Sequence, residues 1–345
     1  MKRKVIHIAP RIVGGVHSFL RNLVLHTLDS YDVTILSLGK CTDFDSDFCS
    51  RVDVKRESVH KMWSISTLRI LYKYIKSHDI IHVHLFPAFY LCAFLKVFFF
   101  NKKFIYTEHA SYNNRRNYRL LKYVERFVYR CYDHIVAISP SCKHNLERWL
   151  GNNVHVDLIN NGIEMDNINI LPYNYSNLGI KARYVVIMVA RLSKDKDFKT
   201  LIHAMQYLSD DYHLVLVGEG DQRHSIETEI SLLDLQERIT LCGLRSDVLS
   251  LLSGASVSVL SSYAEGLGLS ILESLSVHTP CIGSDVAGIC DILPESYRFP
   301  LGNEEALANL IMRVSKGNTE PLKFEDILAN YTIERMSSSY LSLYN

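Results

Sequence analysis

Several sequence signals that identify common protein classes are missing from this chain of 345 residues. Its eight cysteines form no Cys-x-x-Cys pair and have no metal-finger spacing, so we expect reduced thiols in the cytoplasm. No run reaches about 18 uncharged apolar residues, which predicts no membrane-spanning helix. The apolar run Val5–Ala9 behind the basic start ends at Pro10 and is too short for a signal peptide. These absences favour a globular protein.

The glycine motif of dinucleotide-binding proteins is also absent. Gly14-Gly15 follows the first predicted strand and opens a helix, but the spacing Gly-x-Gly-x-x-Gly is missing, which argues against a dehydrogenase. Glycines at the carboxyl end of a strand still allow a ligand to approach the backbone closely. Gly14 and Gly15 are therefore candidate ligand contacts, and a simple tight turn is the alternative.

Short β-rich runs alternate with helical patterns, which predicts an α/β protein with doubly wound parallel sheets. The alternation pauses in an asparagine-rich stretch, where we place a hinge near 163–180. We expect a first domain at 1–165, completed by a C-terminal helix at 332–345, and a second domain at 166–331. The predicted strands are Val5–Ala9, Asp32–Leu38, Ile80–His84, Phe104–Glu108, His134–Ile138, Val154–Ile159, Val185–Ala190, Leu214–Val217, Ile239–Cys242 and Val257–Leu260.

The net charge of +1 conceals a strong difference between the two halves. Residues 1–168 hold 24 Lys and Arg against 15 Asp and Glu, a net charge of +9, and residues 169–345 carry −8. A nucleotide site needs only a few local cations and amides, whereas a basic half suggests an anionic surface or acceptor. We therefore expect the two halves to bind different partners.

The stretch after the predicted strand Val257–Leu260 carries the clearest chemical signal. Gly266 and Gly268 form a loop that leads into an amphipathic helix, whose first N–H groups lack internal partners and suit a phosphate. Glu265 and Glu273 flank this turn, and carboxylates accept hydrogen bonds from hydroxyls, as sugars and ribose supply. We infer a ligand in which a sugar is joined to a nucleoside through a diphosphate.

The sequence Glu265-Gly266-Leu267-Gly268, followed by Glu273, resembles the E-x7-E element of the retaining glycosyltransferases of family 4. That family has the GT-B fold, in which two Rossmann-like domains face a central cleft and a C-terminal helix crosses back to the first domain. The alternative is an ordinary strand-to-helix turn with two surface glutamates. The resemblance implies that the donor is contacted by Gly266, Leu267, Gly268, Leu269 and Glu273, and that Glu265 lies at the catalytic centre.

Arg191 and Lys196 follow the strand predicted at Val185–Ala190 and match the family's Arg-x4-Lys pair. Both side chains form strong charge-assisted hydrogen bonds with a diphosphate, and their charge would stabilise the leaving group. Ala190 and Asp197 replace the two glycines that usually flank the pair, without changing the cations. No Asp-x-Asp stands at a suitable place, so we expect no metal and no cofactor beyond the nucleotide-sugar co-substrate.

The resemblance implies further site residues. His109 corresponds to the family's active-site histidine, which contacts the donor sugar beside the reacting centre, and a structural histidine is the alternative. His17 replaces the glutamate that often follows the glycine pair, which leaves the role of that position open. Further donor contacts are implied at Gly14, Gly15, Gly218, Leu244 and Arg245.

Three features of the first half lie outside these motifs. His82 and His84 share one face of a strand, and we interpret them as buried, hydrogen-bonded side chains because no third metal ligand is evident. The apolar run 86–100 is predicted to be a buried helix, with a membrane-interfacial helix as the alternative. Arg115, Arg116 and Arg119 form a weak candidate site for the acceptor or for an anionic membrane, and a solvated surface is the alternative.

The combined prediction is a retaining, metal-independent hexosyltransferase that moves a sugar from a nucleotide-diphosphate donor, with UDP favoured. The acceptor would be a glycan or a polyprenyl-diphosphate-linked sugar in surface polysaccharide synthesis, at the cytoplasmic face of the membrane. Retention could use Glu265 as a nucleophile or attack on the face from which the leaving group departs, and we favour the second. A sugar-nucleotide 2-epimerase of the same fold and a non-catalytic sugar-nucleotide-binding protein are the alternatives.

Overall fold

The computed structural model describes residues 2–111, 113–151, 154–165 and 170–345. Contacts divide the chain into two compact units: unit 1 is Met1–Gly162 with Thr332–Asn345, and unit 2 is Ile163–Tyr331. The sequence-predicted boundaries were 165 and 331. Part of the predicted hinge, residues 166–169, lies outside the described residues.

Unit 1 contains a parallel sheet of seven strands in the order β3-β2-β1-β4-β5-β6-β7. The strand order reverses between β1 and β4, and the carboxyl ends of the strands at such a reversal are the usual ligand site of doubly wound sheets. The strands are β1 (Arg3–Ala9), β2 (Tyr31–Ser37), β3 (Asp53–Arg56), β4 (Ile80–His84), β5 (Lys103–Glu108), β6 (His134–Ala137) and β7 (Asp157–Leu158).

Helices connect these strands and bury their apolar stripes against the sheet. Helices α2, α3 and α6 start with side-chain caps, since Asp45 accepts a hydrogen bond from the N–H of Phe48, Ser64 from that of Thr67 and Ser139 from that of Cys142. Two hydrophobic clusters form the core on the two faces of the sheet. The helices are α1 (Gly15–Leu25), α2 (Ser46–Arg51), α3 (Ile65–Lys76), α4 (Ala88–Lys96), α5 (Leu121–Arg130) and α6 (Pro140–Leu150).

Unit 2 repeats this architecture with six parallel strands in the order β10-β9-β8-β11-β12-β13. Its order reverses between β8 and β11, the two strands that precede the Arg191–Lys196 segment and the Glu265 loop. The strands are β8 (Tyr184–Val189), β9 (Tyr212–Val217), β10 (Ile239–Gly243), β11 (Val257–Leu260), β12 (Cys281–Ser284) and β13 (Arg298–Phe299). The helices are α7 (Phe198–Ala204), α8 (Arg223–Leu232), α9 (Val248–Gly254), α10 (Leu269–Ser276), α11 (Glu304–Ser315) and α12 (Phe324–Leu328).

The last helix, α13 (Ile333–Tyr344), belongs to unit 1 although it follows unit 2 in the chain. Thr332 caps it by accepting a hydrogen bond from the N–H of Arg335. Ile333, Tyr340 and Tyr344 are buried in the same cluster as strand β1. The final helix therefore supplies part of the core of the first unit.

Two general expectations can be compared with this fold. All eight cysteines are free thiols, as predicted. Among the described residues, no helix combines the length and the apolar character needed to cross a bilayer. The run 86–100 contains α4 and a short stretch beyond it. Phe89 and Leu95 of α4 are buried, whereas Phe94 of the same helix and Phe98 and Phe100 beyond it are exposed.

Candidate functional site

In unit 2, the segment after β8 is held beside the segment after β11 by backbone and side-chain hydrogen bonds. The N–H of Asp197 donates to the carbonyl of Ser261, and that of Tyr263 to the carbonyl of Asp195. Buried Asp197 also accepts hydrogen bonds from the N–H and the hydroxyl of Thr200, which caps α7. The two loops that carry the predicted cations and Glu265 therefore lie together at the reversal of strand order.

This pairing brings Lys196 and Glu265 into contact. They form a close salt bridge, and their side chains are only 12% and 13% exposed. Arg191 forms a different ion pair, with Asp195 at 3.2 Å, in which both side chains are about half exposed. Exposed ion pairs contribute only ~0 to 1 kcal/mol to stability, so Arg191 can leave the Asp195 carboxylate and bind a diphosphate at little cost in free energy. The two predicted cations thus differ, because Lys196 is fixed and Arg191 is easily released.

The loop before α10 has the geometry of an anion site. Gly268 has φ of 82° and is the N-cap residue of α10, without a side-chain cap. Within the described part of the chain, the N–H groups of Leu269 and Ser270 have no hydrogen-bond acceptor, and α10 is long enough to add its dipole. Gly288 packs against the loop so closely that a Cβ there would overlap the carbonyl oxygen of Glu265. No sequence motif pointed to this supporting glycine.

Glu273 lies one turn into α10 and differs from Glu265 in having no cation beside it. Glu273 is half-buried, and burial raises the pKa of its carboxyl group above the usual value. Among the described residues, no hydrogen-bond donor or cation contacts its carboxylate oxygens. A shielded carboxylate without a partner is costly unless a ligand supplies hydrogen bonds. Glu273 is therefore suited to accept hydrogen bonds from ligand hydroxyls.

The remaining predicted donor contacts have mixed surroundings. Gly218 has φ of 139°, and a Cβ at this position would overlap the carbonyl oxygen of Ala190, so close backbone packing alone requires this glycine. Leu244 is 79% exposed. Arg245 forms a bidentate pair with Asp247 at 2.8 and 2.6 Å. Asp247 is the N-cap residue of α9, but its carboxylate binds Arg245 and forms no cap hydrogen bond.

In unit 1, four histidines gather at the reversal of strand order. His7 Nδ1 lies 3.1 Å from His84 Nε2, and His84 Nδ1 lies 3.1 Å from His109 Nε2. His82 points to the same side but bonds to the Tyr344 hydroxyl at 2.7 Å and the Thr107 hydroxyl at 2.8 Å. His82 and His84 are buried and hydrogen-bonded, as predicted.

These histidines are neutral because burial removes their charged forms from water. It lowers the pKa of His7 and of His109 to about 3, and the pKa of His82 and of His84 lies well below the usual value for the same main reason. The nitrogens of His7, His82 and His84 are close enough together to hold a metal ion. Both nitrogens of His82 and both of His84 already contact protein partners, so a hydrogen-bond network explains the cluster. His7 is the third histidine that sequence reasoning missed, because a single histidine in an apolar strand carries no pattern.

Gly14, the N-cap residue of α1, has φ of 55°, and it and Gly15 are exposed. A ligand can therefore approach the backbone at both glycines.

The three arginines proposed for an acceptor or a membrane have different environments. Arg115 donates to the buried carboxylate of Glu125 at 2.7 Å, and its guanidinium lies over the ring of Phe86. Arg116 donates to the carbonyl of Ser111 and lies 3.7 Å from buried Glu108. Only Arg119 is exposed. Two of the three cations are thus engaged inside unit 1, and the charge run in the sequence could not distinguish them.

Both halves of the chain match models of known protein families. The family model described as "Glycosyltransferase Family 4" matches residues 13–167, and the one described as "Glycosyl transferases group 1" matches residues 176–334. The first match lies mostly in unit 1 and the second mostly in unit 2. Every predicted site residue lies within one of them.

Two curated relatives match over nearly the whole chain. The UDP-Gal:alpha-D-GlcNAc-diphosphoundecaprenol alpha-1,3-galactosyltransferase of Escherichia coli is 26% identical, with 91% of this chain and 88% of that protein covered. An O-antigen biosynthesis glycosyltransferase of Escherichia coli is 23% identical, with 96% and 94% covered. Among solved structures, Anabaena HepE in complex with UDP and glucose matches with a TM-score of 0.83 and 17% identity, covering 99% of this chain and 98% of that chain. The structural match establishes the GT-B fold.

Proposed function

The chain belongs to glycosyltransferase family 4, and on that basis we propose that it transfers a hexose from a UDP-sugar to a lipid-linked glycan, with retention of anomeric configuration. The observation that carries the donor proposal is the unpartnered, half-buried Glu273 beside the open amides at the start of α10. A nucleoside diphosphate matches both features, since its ribose hydroxyls can donate hydrogen bonds to the Glu273 carboxylate and its phosphates can accept hydrogen bonds from the amides of α10. The UDP complex of Anabaena HepE supports the choice of nucleotide.

The cations of unit 2 would stabilise the leaving diphosphate. Lys196 is held near the α10 amides through Glu265, and Arg191 can move from exposed Asp195 to a phosphate. Together they would neutralise charge as it develops on the leaving group, without a metal or a cofactor. The salt bridge to Lys196 also makes Glu265 a weaker nucleophile, which supports attack by the acceptor on the face from which the diphosphate departs.

We propose that the acceptor is membrane-linked because α5 has an unusual surface. Buried Glu125 faces inward, where it binds Arg115, Trp149 and Tyr90 through hydrogen bonds. The outward face instead carries Tyr123 and Phe127, which are 68% and 72% exposed. Further exposed apolar side chains on this helix and near the adjacent α4 are Leu120, Val124, Phe94, Val97, Phe98 and Phe100.

Exposed Arg119 and Arg130 lie at the two ends of α5. An outward aromatic face with basic residues at its ends fits the interface of an anionic membrane, where each cation near the surface contributes ~1 kcal/mol. The lipid-diphosphate substrate in the name of the Escherichia coli galactosyltransferase supports a membrane-linked acceptor. We therefore propose peripheral attachment at the cytoplasmic face, in surface polysaccharide synthesis.

The decisive experiment incubates the purified protein with UDP-hexoses, with and without a polyprenyl-diphosphate-linked sugar. Acceptor-dependent release of UDP, and a product with the anomeric configuration of the donor, are the expected results. Formation of a sugar epimer without acceptor would identify a 2-epimerase. UDP-sugar binding without turnover on any acceptor would identify a binding protein. Either result would overturn the proposed reaction.

A further inference from the structure

His7, His84 and His109 form a continuous chain of hydrogen-bonded rings in unit 1. Each contact joins Nδ1 of one ring to Nε2 of the next, at 3.1 Å in both cases. The two ends of the chain differ. His7 Nε2 is buried and has no hydrogen-bond partner among the described residues, whereas His109 retains partial exposure and its Nδ1 is bonded to no described group.

A neutral imidazole carries one N–H, so the chain allows only two arrangements in which both hydrogen bonds are made. In the first, all three rings are protonated on Nδ1, and the donors point from His7 through His84 towards His109. In the second, all three are protonated on Nε2, and the donors point the opposite way. Any mixed arrangement places two donors or two lone pairs face to face and loses a hydrogen bond.

The buried end of the chain decides between these arrangements. Protonation on Nε2 would leave the N–H of His7 without an acceptor in the core, and orphaned buried N–H groups are rarer in proteins than under-satisfied acceptors. Protonation on Nδ1 leaves only a lone pair there. The neighbouring His82 offers no alternative, because its nitrogens bind the hydroxyls of Tyr344 and Thr107.

We propose that His7 and His84 are positioning residues that fix His109 in the tautomer protonated on Nδ1, so that His109 presents a permanent hydrogen-bond donor to a substrate oxygen. The part of this inference that concerns substrate rests on the proposed function. The tautomer itself follows from the geometry of unit 1. Neither ring would exchange protons with substrate, so their role is to set direction rather than to act as acid or base.

The first test is nitrogen-15 NMR of histidine-labelled protein, in which long-range couplings distinguish the two tautomers, and the His109 signal is assigned by its loss in His109→Gln. We expect the Nδ1–H form, unchanged between about pH 5.5 and 8 because the pKa of His109 is near 3. A signal from the Nε2–H form in the wild type would overturn the proposal without any measurement of activity.

Substitution of His84 supplies the second test. His84→Leu removes the donor to His109 and should give a mixture of tautomers, with kcat reduced about 10- to 100-fold and UDP affinity unchanged. His84→Asn offers an amide N–H near the position of Nδ1 and should restore most of the tautomer preference and turnover. His78→Leu is the matched control. His78 is also buried in unit 1, but it bonds to Thr34 and Tyr74, which do not belong to the row of hydrogen-bonded histidines.

Two outcomes would contradict the inference at different levels. If the His84→Leu variant folds and His109 is still found only in the tautomer protonated on Nδ1, then His7 and His84 do not set the tautomer. If the tautomer changes but turnover equals that of His78→Leu, the fixed donor has no role in the reaction. Absence of transferase activity in the wild type would contradict the proposed function instead, and the NMR result would still decide the tautomer.

Discussion

Glu273 offers the most direct test of the donor site, because its carboxylate has opposite effects on the free protein and on the complex. In the free protein the half-buried carboxylate has no partner among the described residues, and burial raises its pKa. A folded-state pKa above the unfolded value stabilises the fold at low pH, and this stabilisation is lost as pH rises through the raised pKa. Glu273→Gln should therefore raise the melting temperature of the free protein at pH 7, and the increase should shrink towards pH 4.

Binding of UDP should change in the opposite direction. A hydrogen bond to a charged group contributes ~1.5 to 3 kcal/mol, so loss of the carboxylate should weaken UDP binding about 10- to 150-fold. Calorimetric titration with UDP and thermal unfolding across pH measure the two effects. Glu237→Gln is the control, because Glu237 is an exposed glutamate of the same unit. A less stable free variant with unchanged UDP affinity would refute the reasoning.

Three further predictions concern the other site residues and the surface. Lys196→Ala or Arg191→Ala should lower turnover roughly 10²- to 10³-fold, as expected for the loss of one group that stabilises transition-state charge. The control Lys199→Ala, which changes an exposed lysine, should leave turnover unchanged. Normal turnover in both the Lys196 and the Arg191 variants would contradict their assignment to the diphosphate. Glu265→Gln should spare UDP affinity and reduce kcat, and the reverse pattern in titration and steady-state assays would exchange the roles of the two glutamates. Two double variants should weaken sedimentation with anionic vesicles at low salt: Tyr123→Ser with Phe127→Ser, and Arg119→Ser with Arg130→Ser. The control Tyr207→Ser, in unit 2, should not weaken it. Equal sedimentation of all variants would exclude α5 as the membrane contact.

The surroundings of Arg115 differ from those that a count of charges in the sequence suggests. Arg115 looked like a surface cation in the sequence, yet it binds buried Glu125. Removal of one partner from a buried pair costs ~3 to 5 kcal/mol, so Arg115→Ser would confuse lost binding with lost stability. Sequence spacing could not identify the inward side of α5, because its buried side carries a glutamate and its exposed side carries aromatic residues.

Strands were predictable where a run of β-branched and apolar residues marks them, but the wholly buried β12, Cys-Ile-Gly-Ser, was not predicted because glycine and serine interrupt its apolar pattern. The predicted limits Ile80–His84 and Val257–Leu260 agree with β4 and β11, which are wholly buried. Strand β3 was missed because its sequence, Asp53-Val-Lys-Arg, is charged and mostly exposed at the edge of the sheet. The run Val154–Ile159 contains only the two-residue strand β7, because apolar composition alone does not fix how far an edge strand pairs.

Motif spacing selected the residues of the proposed donor site but did not indicate the contacts between them. Arg191 with Lys196, and Glu265 with Glu273, were selected as two pairs by their residue types, their spacing after a predicted strand and their resemblance to the family's motifs. Their partners depend on the reversal of strand order, which brings the segment after β8 beside the segment after β11. The ion pair of Lys196 with Glu265 joins residues far apart in the chain, and only the fold reveals it.

The position of α13 has a consequence for the order of folding. Tyr340 and Tyr344 lie in the core of unit 1, but the ribosome makes them only after all of unit 2 has been synthesised. Domains generally fold as units during synthesis, from the amino terminus onwards. Synthesis of unit 1 begins before that of unit 2 but ends after it. Until α13 is made, the side of the sheet around His82 lacks Tyr340 and Tyr344, which cover it. The hydrogen bond between His82 and the Tyr344 hydroxyl can therefore form only after unit 2 has been synthesised.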